Sequence, residues 1–91
     1  MRGNKGIGRL RRRIDTLNRA VLRLLNRRVR AAQAIGAIKR RRGMNISDPA
    51  RERAILRCLT RENPGPLDAR AVRNIFQAIM RQTRRLERKS N

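Results

Sequence analysis

Ile7, Leu10, Ile14, Leu17, Val21 and Leu24 follow one another at alternating spacings of three and four, and Arg28, Ala31, Ile35 and Ile38 continue the register. This repeat is the a/d seam of a coiled coil or a long bundle helix, and it leaves little room for any other fold. No proline interrupts it, and Gly36 is the only glycine inside it after Gly8. Arg40, Arg41 and Arg42 suit the C-terminal end of a helix dipole, and Gly43 is placed as the stop. The spacing predicts a helix from Ile7 to Arg42, roughly 50 Å long at the α-helical rise.

A second helix is predicted from Asp48-Pro49, an N-cap followed by proline at the first helical position. Its apolar face holds Ile55, Leu56, Cys58 and Leu59, and the turn residues Asn63-Pro64-Gly65-Pro66 end it. Asp68 is placed to cap a third helix, whose stripe runs through Val72, Ile75, Phe76, Ile79 and Met80 to Thr83, Leu86 and Glu87. The residues before Ile7 and after Glu87 read as frayed ends. No strand pattern or internal repeat is present, so the expected class is all-α: one long N-terminal helix and two shorter helices in a single domain, residues 1–91.

Helices of roughly 20 and 30 Å do not cover a seam of roughly 50 Å while also packing on each other. The N-terminal half of the first helix is therefore expected to pack on a second copy, giving a homodimer. The alternative, a monomeric three-helix bundle, leaves Ile7, Leu10, Ile14 and Leu17 overhanging and exposed. A chain this short often needs support beyond its own core, and no histidine and one cysteine, Cys58, rule out a zinc cluster and an intrachain disulfide. Without a histidine to activate it, Cys58 reads as a buried free thiol in the core.

Twenty-six Lys and Arg against six Asp and Glu give a net charge of +20, which points to a polyanionic partner and keeps nonspecific nucleic-acid binding open. Phe76 is the only aromatic residue, which argues against readers of single strands that stack bases on aromatic platforms. The basic N-terminus has no apolar h-region, and no apolar run approaches the ~20 residues of a membrane span. No membrane partner and a cytoplasmic location are the expectation.

Most of the arginines fall on solvent faces, but a few charged residues do not. Arg28 occupies an a position between Leu24 and Ala31, and Lys39 lies eleven residues further along, close to three full turns. Glu52 precedes Ile55, Leu56 and Leu59 by three, four and seven residues, and Thr83 and Glu87 extend the stripe of the third helix. Charges on apolar faces are costly unless they are paired or hold a ligand. One reading is a buried network, with Arg28 or Lys39 paired to Glu52 or Glu87. The other is a pocket for a small polar anion, largely written between Arg28 and Glu52. Arg11 flanks the seam about 25 Å from Arg28 along the axis, too far for one small ligand. It is either one more solvated arginine beside Arg12 and Arg13 or a contributor to the partner subunit's site.

The stretches LRRRIDTLNRAVLRLLNRR, IGAIKRRRG, SDPARERAIL and LDARAVRNIFQAIMRQTRRLE, in this order and within a match from about Ile7 to Glu87, resemble the all-α, dimeric three-helix class of chorismate mutases. The resemblance implies an intertwined homodimer that converts chorismate to prephenate in aromatic amino acid biosynthesis, by a [3,3] rearrangement needing no cofactor, metal or nucleophile. It implies that Arg28 binds a substrate carboxylate with help from Arg11 of the other subunit. Lys39 would reach the ether oxygen of the breaking bond and a carboxylate. Glu52 and the backbone at Asp48 would hold the ring hydroxyl, and Arg51 would support the carboxylate side. Thr83 stands where the family usually has serine, and Glu87 where members have glutamine or glutamate. The arginine excess departs from the more balanced surfaces of the family.

Such a site would act by holding a flexible dianion in its compact reactive shape and by setting positive charge where the ether oxygen gains negative charge. A guanidinium fork suits the first task and a lysine point charge the second. Three other readings stand beside this one: an isochorismate pyruvate-lyase on the same scaffold, a basic nucleic-acid-binding helical protein, and a structural dimer without activity. The Asp48, Arg51 and Glu52 run resembles the mutase pattern rather than the lyase one.

Overall fold

A computed structural model describes the backbone from Arg2 to Lys89 and the side chains of residues 6–88. Three α-helices account for nearly all of it: α1 (Arg2–Arg41), α2 (Pro49–Glu62) and α3 (Ala69–Lys89). The class is all-α, as the periodicity predicts. α1 begins before the predicted Ile7 and α3 continues past Glu87 to Lys89, so the described parts of both ends are helical rather than frayed. Gly3, Gly6 and Gly8 weaken helix propensity there but break no hydrogen-bond ladder as proline would. Met1, Ser90 and Asn91, also read as frayed, lie outside the described residues. The chain divides into two compact units, Met1–Arg30 and Ala31–Asn91, within which the seam and the core are described separately.

The first unit is the N-terminal part of α1. Its seam residues Ile7, Leu10, Ile14, Leu17, Val21 and Leu24 are each 50–58% exposed. Within this unit no described residue covers them.

The second unit contains the end of α1, both shorter helices and the connections between them. α1 ends in a Schellman cap: Gly43 adopts φ +66°, its N–H donates to the Arg40 carbonyl (3.2 Å), and the Met44 N–H donates to the Lys39 carbonyl (2.8 Å). Arg42, predicted as the last helical residue, falls in this capping turn. The Asp48 side chain accepts from the Arg51 N–H (3.0 Å), and Pro49 occupies the first turn where no intrahelical donor is needed. Asp68 repeats the device for α3, accepting from the Ala71 N–H at 2.8 Å. Between them Asn63 organises the turn: its Oδ1 accepts from the Gly65 N–H and its Nδ2 donates to the Leu67 carbonyl.

α2 packs against α3. The predicted face of α2, Ile55, Leu56, Cys58 and Leu59, is half-buried rather than buried, and Cys58 donates to Glu62 Oε1 across one helical turn (3.3 Å). On α3, Val72 and Met80 are buried, Phe76, Ile79 and Leu86 are half-buried, and Ile75 is exposed despite its place in the stripe. A core of two buried hydrophobic residues among those described leaves a short chain with little burial to set against its conformational entropy.

Candidate active site

The second unit brings polar residues of all three helices toward one end of α2. Lys39, in the last helical turns of α1, points its ammonium at the Asp48 carboxylate of α2, with Nζ to Oδ2 at 3.9 Å. The division of labour at Asp48 is clean. One carboxylate oxygen caps the helix through Arg51, and the other faces the lysine. Lys39 is mostly buried at 19% exposure, so a cation sits beside the N-terminus of a helix without being freely solvated.

The neighbouring residue, Arg40, reaches the other way. Its Nη1 donates to the backbone carbonyl of Glu87 in α3 at 3.3 Å. Glu87 is half-buried and its carboxylate lies over Gly36, which is itself buried. The last turns of α1 thus touch the start of α2 through Lys39 and the end of α3 through Gly36 and Arg40.

Thr83 is buried at 5% exposure, one turn before Glu87, and its hydroxyl donates to the Ile79 carbonyl at 2.8 Å. A threonine hydroxyl on an apolar stripe meets part of its hydrogen-bonding need within its own helix in this way. Glu52 is half-buried on α2 and is held by Arg84 of α3, whose Nη1 contacts both carboxylate oxygens. The network weighed from sequence, with Lys39 or Arg28 paired to Glu52 or Glu87, is replaced for Lys39 by Asp48 and for Glu52 by Arg84. The Arg51 side chain is exposed and only its backbone enters the cap.

Arg28 and Arg11 belong to the first unit. Arg28 is half-buried and Arg11 exposed, consistent with a seam position for the former and a flanking one for the latter. Sequence reasoning missed two residues in the second unit. Arg84 stands in a run of cations with no mark to separate it from Arg81, Arg85 or Arg88. Gly36 was visible as the one glycine inside the seam after Gly8, a signal that a neighbour approaches closely there.

A family model described as chorismate mutase type II matches residues 10–88. A bifunctional chorismate mutase/prephenate dehydratase of Neisseria gonorrhoeae is 39% identical over 75 residues, which is 82% of this chain and 20% of that protein. A protein of the same description from Aquifex aeolicus is 36% identical over 84 residues, covering 88% of this chain and 23% of its own length. The chain therefore spans about a fifth of the length of these curated relatives. Among solved structures, form II of the chorismate mutase from Thermus thermophilus aligns with a TM-score of 0.91 and 39% identity, over 93% of this chain and 97% of that one. Form I of the same protein aligns with a TM-score of 0.84 and 40% identity, over 85% and 96%.

Proposed function

We propose that this chain, which belongs to the type II chorismate mutase family, catalyses the rearrangement of chorismate to prephenate. The observation that carries the reading is the convergence in the second unit: Lys39 against Asp48 and Arg40 against Glu87 bring the end of α1 to the start of α2 and the end of α3. A cation, hydrogen-bond acceptors and a carboxyl that can donate when protonated are what this reaction asks of a protein.

In the proposed mechanism no group bonds covalently to the substrate. One C–O bond breaks and one C–C bond forms within the same molecule, so the protein supplies conformation and charge. Arg28 holds a substrate carboxylate, and Arg51 supports the carboxylate side. Lys39 donates to the ether oxygen as that atom becomes negative, a contact stronger in the transition state than in the substrate. Glu87 is the group proposed to face the same oxygen from α3. Glu52 and the backbone at Asp48 hold the ring hydroxyl, and the Thr83 hydroxyl takes the place of the family's serine.

The working form is proposed to be a homodimer. Six large seam residues exposed along the first 24 positions form a row that a second copy covers. Arg11, exposed beside that row, reaches the partner's site in this reading. Incubation with chorismate, following its ultraviolet absorbance and the appearance of prephenate, tests the activity. The same assay with isochorismate separates a mutase from a pyruvate-lyase.

The net charge of +20 favours a second property, nonspecific binding of nucleic acid. Its mark is an affinity that falls steeply with salt. Among the described residues no helix is long and apolar enough to cross a membrane.

A further inference from the structure

The contact between α2 and α3 leaves a cleft of about 310 Å³ whose lining includes Glu52 and Leu56 from α2 and Met80 and Arg84 from α3. Glu52 and Arg84 join the two helices across it as a close ion pair, each partner about one-third exposed. Leu56 and Met80 stand one helical turn along from them, and Arg53, Gln77 and Arg81 share the lining, so the pair sits in an open cleft of mixed polar and apolar walls.

A carboxylate has about four lone-pair directions. Arg84 approaches both oxygens of Glu52 with one nitrogen, taking the side of the carboxylate that faces α3 and leaving the outer directions to another donor. A charge-assisted hydrogen bond of this type fixes orientation as well as adding attraction. Ion pairs of this exposure contribute little to stability. The main effect of the pair is therefore on where the Glu52 carboxylate points.

We infer that Arg84 is a positioning residue for Glu52, holding the carboxylate in the orientation in which it accepts the ring hydroxyl of the substrate. The inference rests on the substrate reading proposed above. It assigns Arg84 no contact with the reacting atoms. A hydroxyl acceptor free to turn spends part of its time facing away from the ligand, and loss of orientation of that size lowers both binding and turnover.

The test is a double-mutant cycle in kcat/KM for chorismate with wild type, R84M, E52A and the double variant. R84M keeps the length and apolar stem of the side chain in the cleft and removes its charge. In the wild-type background R84M is expected to lower kcat/KM by about tenfold, largely through KM, with a melting temperature within a few degrees of wild type. In the E52A background the same substitution is expected to change kcat/KM by less than about twofold, because there is no carboxylate left to orient. An equal loss in both backgrounds, or R84M with wild-type kcat/KM, overturns the role. Should R84M fail to fold, R84K replaces it in the same cycle, with a smaller expected loss that must likewise vanish beside E52A. Wild type that leaves chorismate unchanged overturns both the substrate reading and this inference. Wild type that converts it with R84M unaffected overturns only this one.

Discussion

Gly36 of α1 is the seat for Glu87 of α3: a β-carbon built on the glycine would come within 3.2 Å of Glu87 Oε2. That separation is tighter than ordinary van der Waals contact, so any side chain at position 36 displaces the carboxylate by a few tenths of an ångström. The neighbour is the far end of a flexible side chain, which can move. Alanine also gains about 1 kcal/mol of helix propensity over glycine in a helix interior. Gly36→Ala is therefore expected to be as stable as wild type or more so, while kcat/KM for chorismate falls several-fold. Thermal melting and steady-state kinetics on one sample check both halves. A stable variant with full activity would remove Glu87 from the proposed chemistry.

The proposed part of Glu87 is a side-chain hydrogen bond to the ether oxygen. Glu87→Ala removes the group and is expected to lower turnover by ~100-fold, the scale of removing a transition-state donor. Glu87→Gln, whose amide donates from a side chain of the same length, is expected to keep more of the activity than Glu87→Ala. Steady-state kinetics on the three proteins check this, and Glu87→Ala with wild-type turnover contradicts the role.

Lys39 separates catalysis from stability. Its partner Asp48 is about half exposed and caps α2 through a different oxygen, so losing the ammonium leaves the cap in place. Lys39→Ala is expected to fold as wild type does, with turnover lower by at least ~100-fold, the scale of removing a transition-state donor. Circular dichroism and kcat measure the two outcomes, and near-wild-type turnover contradicts the assignment.

Arg11 and Lys39 are proposed to serve a site from different subunits, which complementation can detect. Arg11→Ala and Lys39→Ala are each expected to be nearly inactive. Mixed dimers place both defects in one site and leave the other intact, so random exchange of equal amounts restores up to about a quarter of wild-type activity. Native mass spectrometry establishes that mixed dimers have formed. Their formation without any recovery would put Arg11 in its own subunit's site or in none.

The helices were legible because their signals are local. A repeat of three and four needs no tertiary information, and Asp48-Pro49, Asp68 and Gly43 mark ends through bonds made within a few residues. What escaped depends on how helices meet. Ile75 shares its stripe with Val72 and Ile79 yet remains exposed. The Glu52–Arg84 pair joins residues 32 positions apart, and its choice of Arg84 among so many arginines is made by the contact of α2 with α3. Likewise, periodicity could place Lys39 on the helix but could not say that Asp48 would face it.

The most direct measurement is the fate of chorismate incubated with the folded protein, followed by loss of its ultraviolet absorbance and by identification of the product. Conversion to prephenate is expected, saturable in chorismate and lost in Lys39→Ala. A folded dimer that leaves chorismate unchanged would contradict it.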